Sequence, residues 1–330
     1  MLNPNLKLNE KLFDKDTEVA PTRAGFGTGL LKLGETNPNV VALSADLTES
    51  THAHKFAEKF PERFFEVGIG EQNMAAIAAG LGVSGKIAFI TSYATFSPGK
   101  NWETIRTTIV YNQANVKIAG HHAGIMTGPD GATHQATEDV AITRCWPNIQ
   151  VIVPCDSIEA EKATIKSADT PLPVYLRYTR DKTPVMTTKD TPFEVGKMYD
   201  FWISDNPQVT IFSMGYMTHY ALLAAKELEA EGIEVLVVNT PTIKPLDREA
   251  LLKFTEKSKA VVTVEDHQVM GGLGGAISEE LAKTIPLPME FVGLQNTFGE
   301  SGTPKELVEK YGMGVTGIKD AVKKVISRKR

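Results

Sequence analysis

The sequence predicts an α/β protein with two doubly wound domains, on three observations. Short apolar segments alternate with helical patterns along most of the chain, and this alternation is typical of a parallel sheet with helices on both faces. The alternation is interrupted over residues 186–207 and then resumes. The chain has 330 residues, which is long for a single hydrophobic core. We therefore expect an N-terminal arm (1–21), a first domain (22–185), a linker (186–207) and a smaller second domain (208–330).

The first domain is predicted from a regular succession of strands and helices. Each strand is a short run rich in Val, Ile, Ala or Phe, and Gly, Pro or polar residues separate it from the next element. Ser157 is expected to cap the last helix. The predicted strands are 40–45, 64–67, 87–93, 116–120, 149–153 and 174–178, and the predicted helices are 23–36, from 72 onward, 101–111, 135–144 and 157–167.

The second domain repeats the alternation on a smaller scale. Its Gly-rich turn, Gly271–Gly275, lacks both the Lys-Ser/Thr of a P-loop and the GxGxxG spacing, so close helix packing is the better interpretation. The predicted strands are 209–213, 235–239 and 260–265, and the predicted helices are 218–231, 247–257 and 276–284.

Composition excludes several classes of function. The net charge is −5 and the pI about 5.9, and no basic stripe is present, so nucleic acid is not an expected partner. The two cysteines, Cys145 and Cys155, have neither His nor Cys at metal-ligand spacing, which argues against a disulfide framework and a zinc site. No apolar run reaches membrane-spanning length, and residues 1–9 lack the apolar centre of a signal peptide. We expect no membrane association and a reducing cytoplasm.

Glu71 occupies an unusual position in this pattern. It follows the Gly68–Gly70 turn after a predicted strand and precedes an Ala-rich helix, and no Lys or Arg before it is closer than Arg63. Such a carboxylate is either a charge that faces water at a helix N-terminus or a desolvated acid. Residue type alone favours the first interpretation.

Polar residues follow several of the predicted strands at the point where each strand ends. In a parallel sheet these carboxyl ends meet at one edge, where ligands bind. The coincidence therefore predicts a site there, which includes Asp46, Glu71, Tyr93, His121/His122 and Arg180.

The loop Gly120–Gln135 (GHHAGIMTGPDGATHQ) concentrates three histidines, an aspartate and several glycines. Glycine lets the backbone approach a ligand closely, and histidine provides donors near neutral pH. The histidines show no familiar metal-ligand spacing, so a small polar ligand is favoured over a metal or a solvated turn. The nearby Tyr93 and Phe96 are either core residues or a platform for a flat heterocycle.

These motifs together resemble the C-terminal half of transketolase, its pyrimidine-binding domain plus its C-terminal domain. The resemblance covers the chain from about residue 22 to its end. It is carried by three motifs in the family's order: Ser44-Ala-Asp46, Gly70-Glu-Gln-Asn-Met74, and His122-x-Gly-x4-Pro-Asp-Gly131 followed by Thr133-His-Gln135.

The resemblance implies a thiamine-diphosphate enzyme that transfers a two-carbon ketol unit between sugar phosphates. Glu71 matches the glutamate that contacts the aminopyrimidine ring, Tyr93 and Phe96 match the aromatic pocket around that ring, and Asp46 matches a nearby polar position. Phe89 is a further candidate for the ring pocket.

The same resemblance implies a substrate site and the acid–base groups of the reaction. Glu71, His122 and His134 are the expected catalytic residues. The expected substrate-binding residues are Arg23, Ser50, His122, Asp130, His134 and Arg180.

The family's N-terminal domain has no counterpart in this sequence. That domain carries a GDG…N motif that binds Mg²⁺ and the diphosphate, so no metal ligand is expected on this chain. We expect a split enzyme in which a second, N-terminal subunit supplies the Mg²⁺ ligands, as an α2β2 assembly with a self-dimer of this chain.

Three other interpretations stay open on the sequence. The β subunit of a 2-oxoacid dehydrogenase shares the two-domain plan, and deoxyxylulose-phosphate synthase shares much of this half. The histidine loop and the arginines favour a phosphosugar over an oxoacid. A non-catalytic relative that binds only a partner would not need Glu71, both arginines and the histidines.

Overall fold

The protein contains two β-sheets whose central strands are parallel. The computed structural model describes residues 1–329. The strands of the seven-stranded sheet are β2 Val40–Ser44, β3 Phe64–Glu66, β4 Ile87–Tyr93, β5 Val116–His121, β6 Gln150–Ile152, β7 Val174–Arg177 and β12 Thr242–Lys244. Their order is β12-β6-β7-β5-β4-β2-β3. Five pairings are parallel, and the pairing of the edge strand β12 with β6 is antiparallel.

The helices of the first domain cover both faces of this sheet. Strand β2 is buried along its whole length, which explains why it reads as a continuous apolar run. The helices are α1 Thr22–Thr36, α2 His54–Lys59, α3 Glu71–Val83, α4 Trp102–Thr104, α5 Asp139–Arg144 and α6 Ser157–Ser167, and α4 continues as a π-helix over Ile105–Val110.

Helix α1 packs unusually closely on α6. A Cβ on Gly25 would lie 1.9 Å from the carbonyl oxygen of Ser157, and one on Gly29 would lie 2.8 Å from Cβ of Thr164. Only glycine permits this approach. The contact fixes the first turn of α1, which carries Arg23.

The second sheet has the order β14-β13-β10-β11-β9, with an antiparallel strand, β9, at one edge. Its strands are β9 Tyr199–Trp202, β10 Val209–Ser213, β11 Val235–Asn239, β13 Val261–Gln268 and β14 Met289–Leu294. Its helices are α7 Met217–Ala230, α8 Arg248–Ser258, α9 Leu273–Lys283, α10 Pro304–Lys310 and α11 Val315–Ser327. The predicted α/β fold with a smaller second domain is confirmed.

The N-terminal arm lies against the second sheet. The Asn3 N–H donates to the carbonyl of Phe201 at 2.9 Å, and Leu6, Leu8 and Leu12 join the core cluster of that sheet. Further along, β1 Val19–Ala20 pairs with β8 Thr183–Pro184 in a separate two-stranded ribbon. The arm thus contacts both the second sheet and the segment that ends the first domain. The domain boundaries drawn from the sequence stay a prediction.

Three local predictions differ from the structure. Asp156, not Ser157, caps α6, because its carboxylate accepts from the Glu159 N–H at 2.8 Å. Helix α5 begins at Asp139 instead of near residue 135, because Gln135 ends the histidine loop and Ala136 forms a β-bridge with Ala123. The stretch predicted as linker contains β9, which pairs with β11.

A buried ion pair joins the sheet to the segment that directly follows the histidine loop and to the second domain. The Arg177 Nε donates to Oδ2 of Asp139 at 2.8 Å, and both side chains are almost fully buried. The Arg177 guanidinium also donates to the carbonyls of Ala136 (3.2 Å) and Asp266 (2.8 Å). The Tyr175 hydroxyl donates to the same Asp139 oxygen at 2.5 Å. One cation therefore connects three segments of the chain.

We predict that R177M destabilises the protein by about 3–5 kcal/mol, because it leaves Asp139 as a buried charge without its partner. Urea unfolding followed by circular dichroism measures the loss. K166M is the matched control, since Lys166 forms an exposed ion pair with Asp169 and should cost less than about 1 kcal/mol. Equal losses in the two variants would contradict the assignment.

Candidate active site

The predicted site residues lie at one edge of the seven-stranded sheet. Asp46 follows β2, Tyr93 ends β4, His122 follows β5 and Arg180 follows β7. These strands are parallel neighbours, so their carboxyl ends meet. This edge is where doubly wound folds bind ligands.

Glu71 is buried at the start of α3. Its exposed fraction is 2 %, which excludes the alternative in which the carboxylate faces water. The Lys100 Nζ lies 2.7 Å from its Oε2, and the amide of Asn101 donates to its backbone carbonyl at 2.9 Å. Sequence reasoning missed Lys100, because the two residues are 29 positions apart and only tertiary packing brings them together.

Four rings form an aromatic cluster at this edge. Tyr93 stacks on His122 with 3.9 Å between ring centroids, and on Phe96 at 5.9 Å with 17° between planes. The His134 ring packs in a T-shaped arrangement against Phe96 and Tyr93, with ring centroids 5.5 Å and 6.3 Å apart, respectively. The structure thus brings together two residues predicted to bind the cofactor and the two histidines predicted to be catalytic.

Two arginines line a neighbouring cavity of about 290 Å³. Arg23 donates to the carbonyl of Ser50 at 2.7 Å and contacts Nε2 of His122 at 2.9 Å. Arg180 pairs with Asp130 at 3.0 Å. Burial and the nearby Arg180 lower the pKa of Arg23. Two cations this close favour an anion between them.

His122 is held as a neutral imidazole. Burial, Arg23 and Arg180 lower its pKa to about 3, and its backbone adopts a left-handed φ of 50°. Its ring then accepts a hydrogen bond from Arg23 at Nε2. The neighbouring His121 is fully buried between Phe26 and Tyr178, so it belongs to the core.

Three predicted residues make weaker contributions to this geometry. Ser50 meets Arg23 through its backbone carbonyl. Asp46 is exposed, and its N–H donates to Glu66 at 2.7 Å. Phe89 is fully buried and packs with Phe26 in a core cluster. Glu66, which sequence reasoning missed, also accepts from Thr48 at 2.8 Å and so braces the loop after β2.

The Gly-rich turn of the second domain is filled by a side chain of the protein. Glu265 accepts from the N–H groups of Leu273 (2.8 Å) and Gly274 (2.9 Å) at the start of α9. A Cβ on Gly272 would lie 1.9 Å from the same carboxylate. The glycines of this turn therefore allow close packing against Glu265, as the sequence predicts. The N–H groups that could bind a phosphate are already bonded to this carboxylate.

Neither a metal cluster nor a membrane helix is found in the described chain. Within residues 1–329 no three His, Cys, Asp or Glu side chains are grouped so that they could hold a metal ion. No helix in that range combines the length and the apolar character needed to cross a bilayer.

Comparison with known proteins gives concordant results. Residues 18–186 match the family described as transketolase, pyrimidine binding domain, and residues 202–318 match the transketolase C-terminal domain. A putative transketolase C-terminal section of Methanocaldococcus jannaschii is 41 % identical over 88 % of this chain and 92 % of its own. A 6-deoxy-6-sulfo-D-fructose transketolase subunit of Clostridium sp. is 36 % identical over 91 % of this chain and 92 % of its own. The solved structure titled split gene transketolase, inactive beta4 tetramer aligns with a TM-score of 0.87 and 45 % identity, over 94 % of this chain and 99 % of its own.

The two α/β domains, the site at the strand ends and these matches define a transketolase-type protein, and the chain belongs to the transketolase family. Within the family it corresponds to the C-terminal section, the pyrimidine-binding domain followed by the C-terminal domain. The resemblance drawn from the motifs is confirmed.

We predict that H122N weakens the acid sensitivity of the fold. In the unfolded chain His122 takes up a proton near pH 6.5, whereas in the folded chain it does so only near pH 3. The group therefore contributes stability that is fully present above pH 6.5 and is lost as the pH falls toward 3. Below pH 6 the free energy of unfolding should fall less steeply in H122N, by up to about 1.4 kcal/mol per pH unit.

Urea unfolding of both proteins between pH 4.5 and 8.5 measures this difference. The interval from pH 7.5 to 8.5 is the internal control, because neither state changes its protonation at this residue there. Parallel curves at acidic pH would contradict a neutral, buried His122.

Proposed function

We propose that this chain is the C-terminal subunit of a split, thiamine-diphosphate-dependent transketolase. It would transfer a two-carbon ketol unit from a ketose phosphate to an aldose phosphate. The observation that carries the proposal is the buried Glu71 carboxylate, at the same sheet edge as the stacked Tyr93 and Phe96. The similarity to transketolase C-terminal sections and subunits does not favour the dehydrogenase and deoxyxylulose-phosphate synthase alternatives.

The residues present fit the pyrimidine half of the cofactor. Tyr93 and Phe96 offer flat apolar faces to a heterocycle, and Glu71 offers a carboxylate to a ring nitrogen. When bound, thiamine diphosphate supplies a nucleophilic carbon and an electron sink for breaking a C–C bond beside a ketose carbonyl. Glu71 would hold and release a proton at the pyrimidine edge, and burial would shield that exchange from water. Asp46 would bind the cofactor or form a contact with the partner subunit.

His122 and His134 would pass protons to and from substrate hydroxyls. Both rings contact the aromatic cluster, so they are within reach of a sugar bound beside the pyrimidine. His122, with its lowered pKa, would act as a neutral donor or acceptor and not as a fixed cation. Asp130, held by Arg180, would accept from another hydroxyl.

Arg23 and Arg180 would bind the anionic end of the sugar, with Ser50 beside them. Guanidinium forks suit a phosphate because they bind two oxygens at once. A sulfonate presents a similar set of oxygens, and one similar protein is named for a sulfosugar. A phosphate is the proposed substrate group, and the sulfosugar is the alternative to be tested.

The Mg²⁺ and diphosphate site would lie on a second, N-terminal subunit. Support comes from a similar solved structure, which is described as an inactive beta4 tetramer of a split gene transketolase. We propose an α2β2 complex in which two copies of this chain meet two copies of the N-terminal subunit.

We predict that the purified chain lacks ketol transfer and that adding the N-terminal subunit, Mg²⁺ and thiamine diphosphate restores it. In that complex E71Q should lower turnover by 10²–10⁴-fold or more, since a proton-exchanging group is removed. A coupled assay of aldose phosphate consumption measures the rate. E62Q is the matched control, because Glu62 is an exposed carboxylate on the same domain. Full activity of the chain alone, or of E71Q, would refute the proposal.

We predict a substrate effect for R180M that differs from that of E71Q. Loss of one guanidinium should raise KM for the phosphorylated substrate by about 10–100-fold, consistent with about 1.5–3 kcal/mol for a charged hydrogen bond, and should change kcat little. R248M, which removes an exposed arginine on the second domain, should leave both constants unchanged. Measuring each enzyme with a ketose phosphate and with a 6-sulfo ketose identifies the preferred anion. An unchanged KM for both would exclude Arg180 from substrate binding.

A further inference from the structure

One contact of the proposed catalytic carboxylate is not explained by the functions assigned above. The Lys100 ammonium lies 2.7 Å from Oε2 of Glu71, and its side chain is 47 % exposed while that of Glu71 is 3 % exposed. The lysine therefore reaches from the surface to a buried acid. Within residues 1–329 no other side chain forms a hydrogen bond with this carboxylate.

The segment that carries Lys100 is itself fixed to Glu71. The side-chain amide of the buried Asn101 donates to the Glu71 carbonyl (2.9 Å) and to the Ser97 hydroxyl (3.3 Å). The Asn101 N–H donates to the carbonyl of Phe96 at 3.2 Å. The chain from Phe96 to Asn101 thus connects the aromatic wall of the site to the acid.

We propose that Lys100 is a positioning residue for Glu71. Its ammonium holds Oε2, compensates the buried charge and leaves Oε1 as the oxygen that a ligand can engage. The proposal deepens the function proposed above and rests on it, because it assigns to Lys100 the orientation of the group that would meet the cofactor ring.

Charge compensation is the physical reason for such a residue. A carboxylate that is 2 % exposed has lost most of its hydration, so burying its charge is costly unless a counter-ion compensates it. The other titratable groups on the elements around α3 make no hydrogen bond or ion pair with Glu71 in the described chain. These groups are Tyr93, Glu103, Arg106, Lys117 and His121.

The isolated chain provides the first test, with no need for cofactor or partner. K100M should lower Tm, and the deficit should grow as the pH rises from 5 to 8. The substitution leaves the buried carboxylate without its counter-ion, and an uncompensated buried charge costs most where the pH favours ionised carboxylates. In the E71Q background the same substitution should have a small effect that does not change with pH.

Two further variants separate positioning from general structural loss. K100R should keep Tm within about 2 °C of the native chain, because a guanidinium can hold the same oxygen. K323M removes a lysine of almost equal exposure from a surface pair with Glu231 and should show no growing deficit. A K100M deficit that is flat with pH, or equal with and without Glu71, would overturn the proposal.

The assembled enzyme provides the second test. K100M should lower kcat at least tenfold and move the acidic limb of the pH–rate profile to higher pH, whereas K100R should restore both within about threefold. An unchanged profile in K100M would overturn the proposal. If the complex had no transketolase activity at all, the proposed function would fail, while the Tm experiment on the isolated chain would still report whether Lys100 and Glu71 are coupled.

Discussion

The parallel register of β2, β4, β5 and β7 is the constraint on which the site depends. Because these strands run in the same direction, residues far apart in sequence reach one edge of the sheet. Arg23 joins them from α1, whose close packing on α6 fixes its first turn. Most of the site residues thus come together directly at strand ends, whereas Asp130 and His134 reach the site from the histidine loop that follows β5.

The second domain holds part of that edge in place. The Ile125 N–H, in the histidine loop, donates to the buried Asp266 carboxylate at 3.0 Å, and Arg177 connects the Asp266 carbonyl with Asp139. Further along the loop, the Gln135 amide donates to the carbonyl of Glu300 at 2.9 Å. The loop that carries His122, Asp130 and His134 is therefore clamped between domains, which explains how a glycine-rich segment can present side chains in a defined geometry.

Sequence periodicity was sufficient for the elements that fill the core. Strands β4 and β10 were predicted with the bounds that the structure has, because turn residues border their apolar runs. Helix α6 was also predicted with the correct bounds, although its capping residue was not. No element was given bounds after residue 284, although α11 buries Ile318, Val322 and Val325 at helical spacing. The helical spacing of these apolar residues could have been recognised in the sequence. Strand β14 is only partly buried, so its apolar pattern is weak.

Site residues could be predicted from the sequence only where they lie at the end of a strand or belong to a motif of the family. Those two signals indicated Glu71, Tyr93, His122 and Arg180. Lys100, Glu66 and the hydrogen bond of Asp266 to the histidine loop were missed. Each of these residues acts through a partner that is distant in sequence, and no local pattern indicates the contact. Burial of Glu71 was left open for the same reason: nothing near it in sequence distinguishes a dry carboxylate from a solvated one.

The glycine contact between α1 and α6 has a consequence for redesign. Arg23 stands on a helix that cannot move toward α6, because no space remains at Gly25. Other residues that line the cavity stand on other segments: Met126, Thr127 and Pro129 come from the histidine loop, and Thr303 and Pro304 come from the second domain. Attempts to admit a larger version of the proposed sugar substrate should therefore alter the residues of these two segments and leave α1 unchanged.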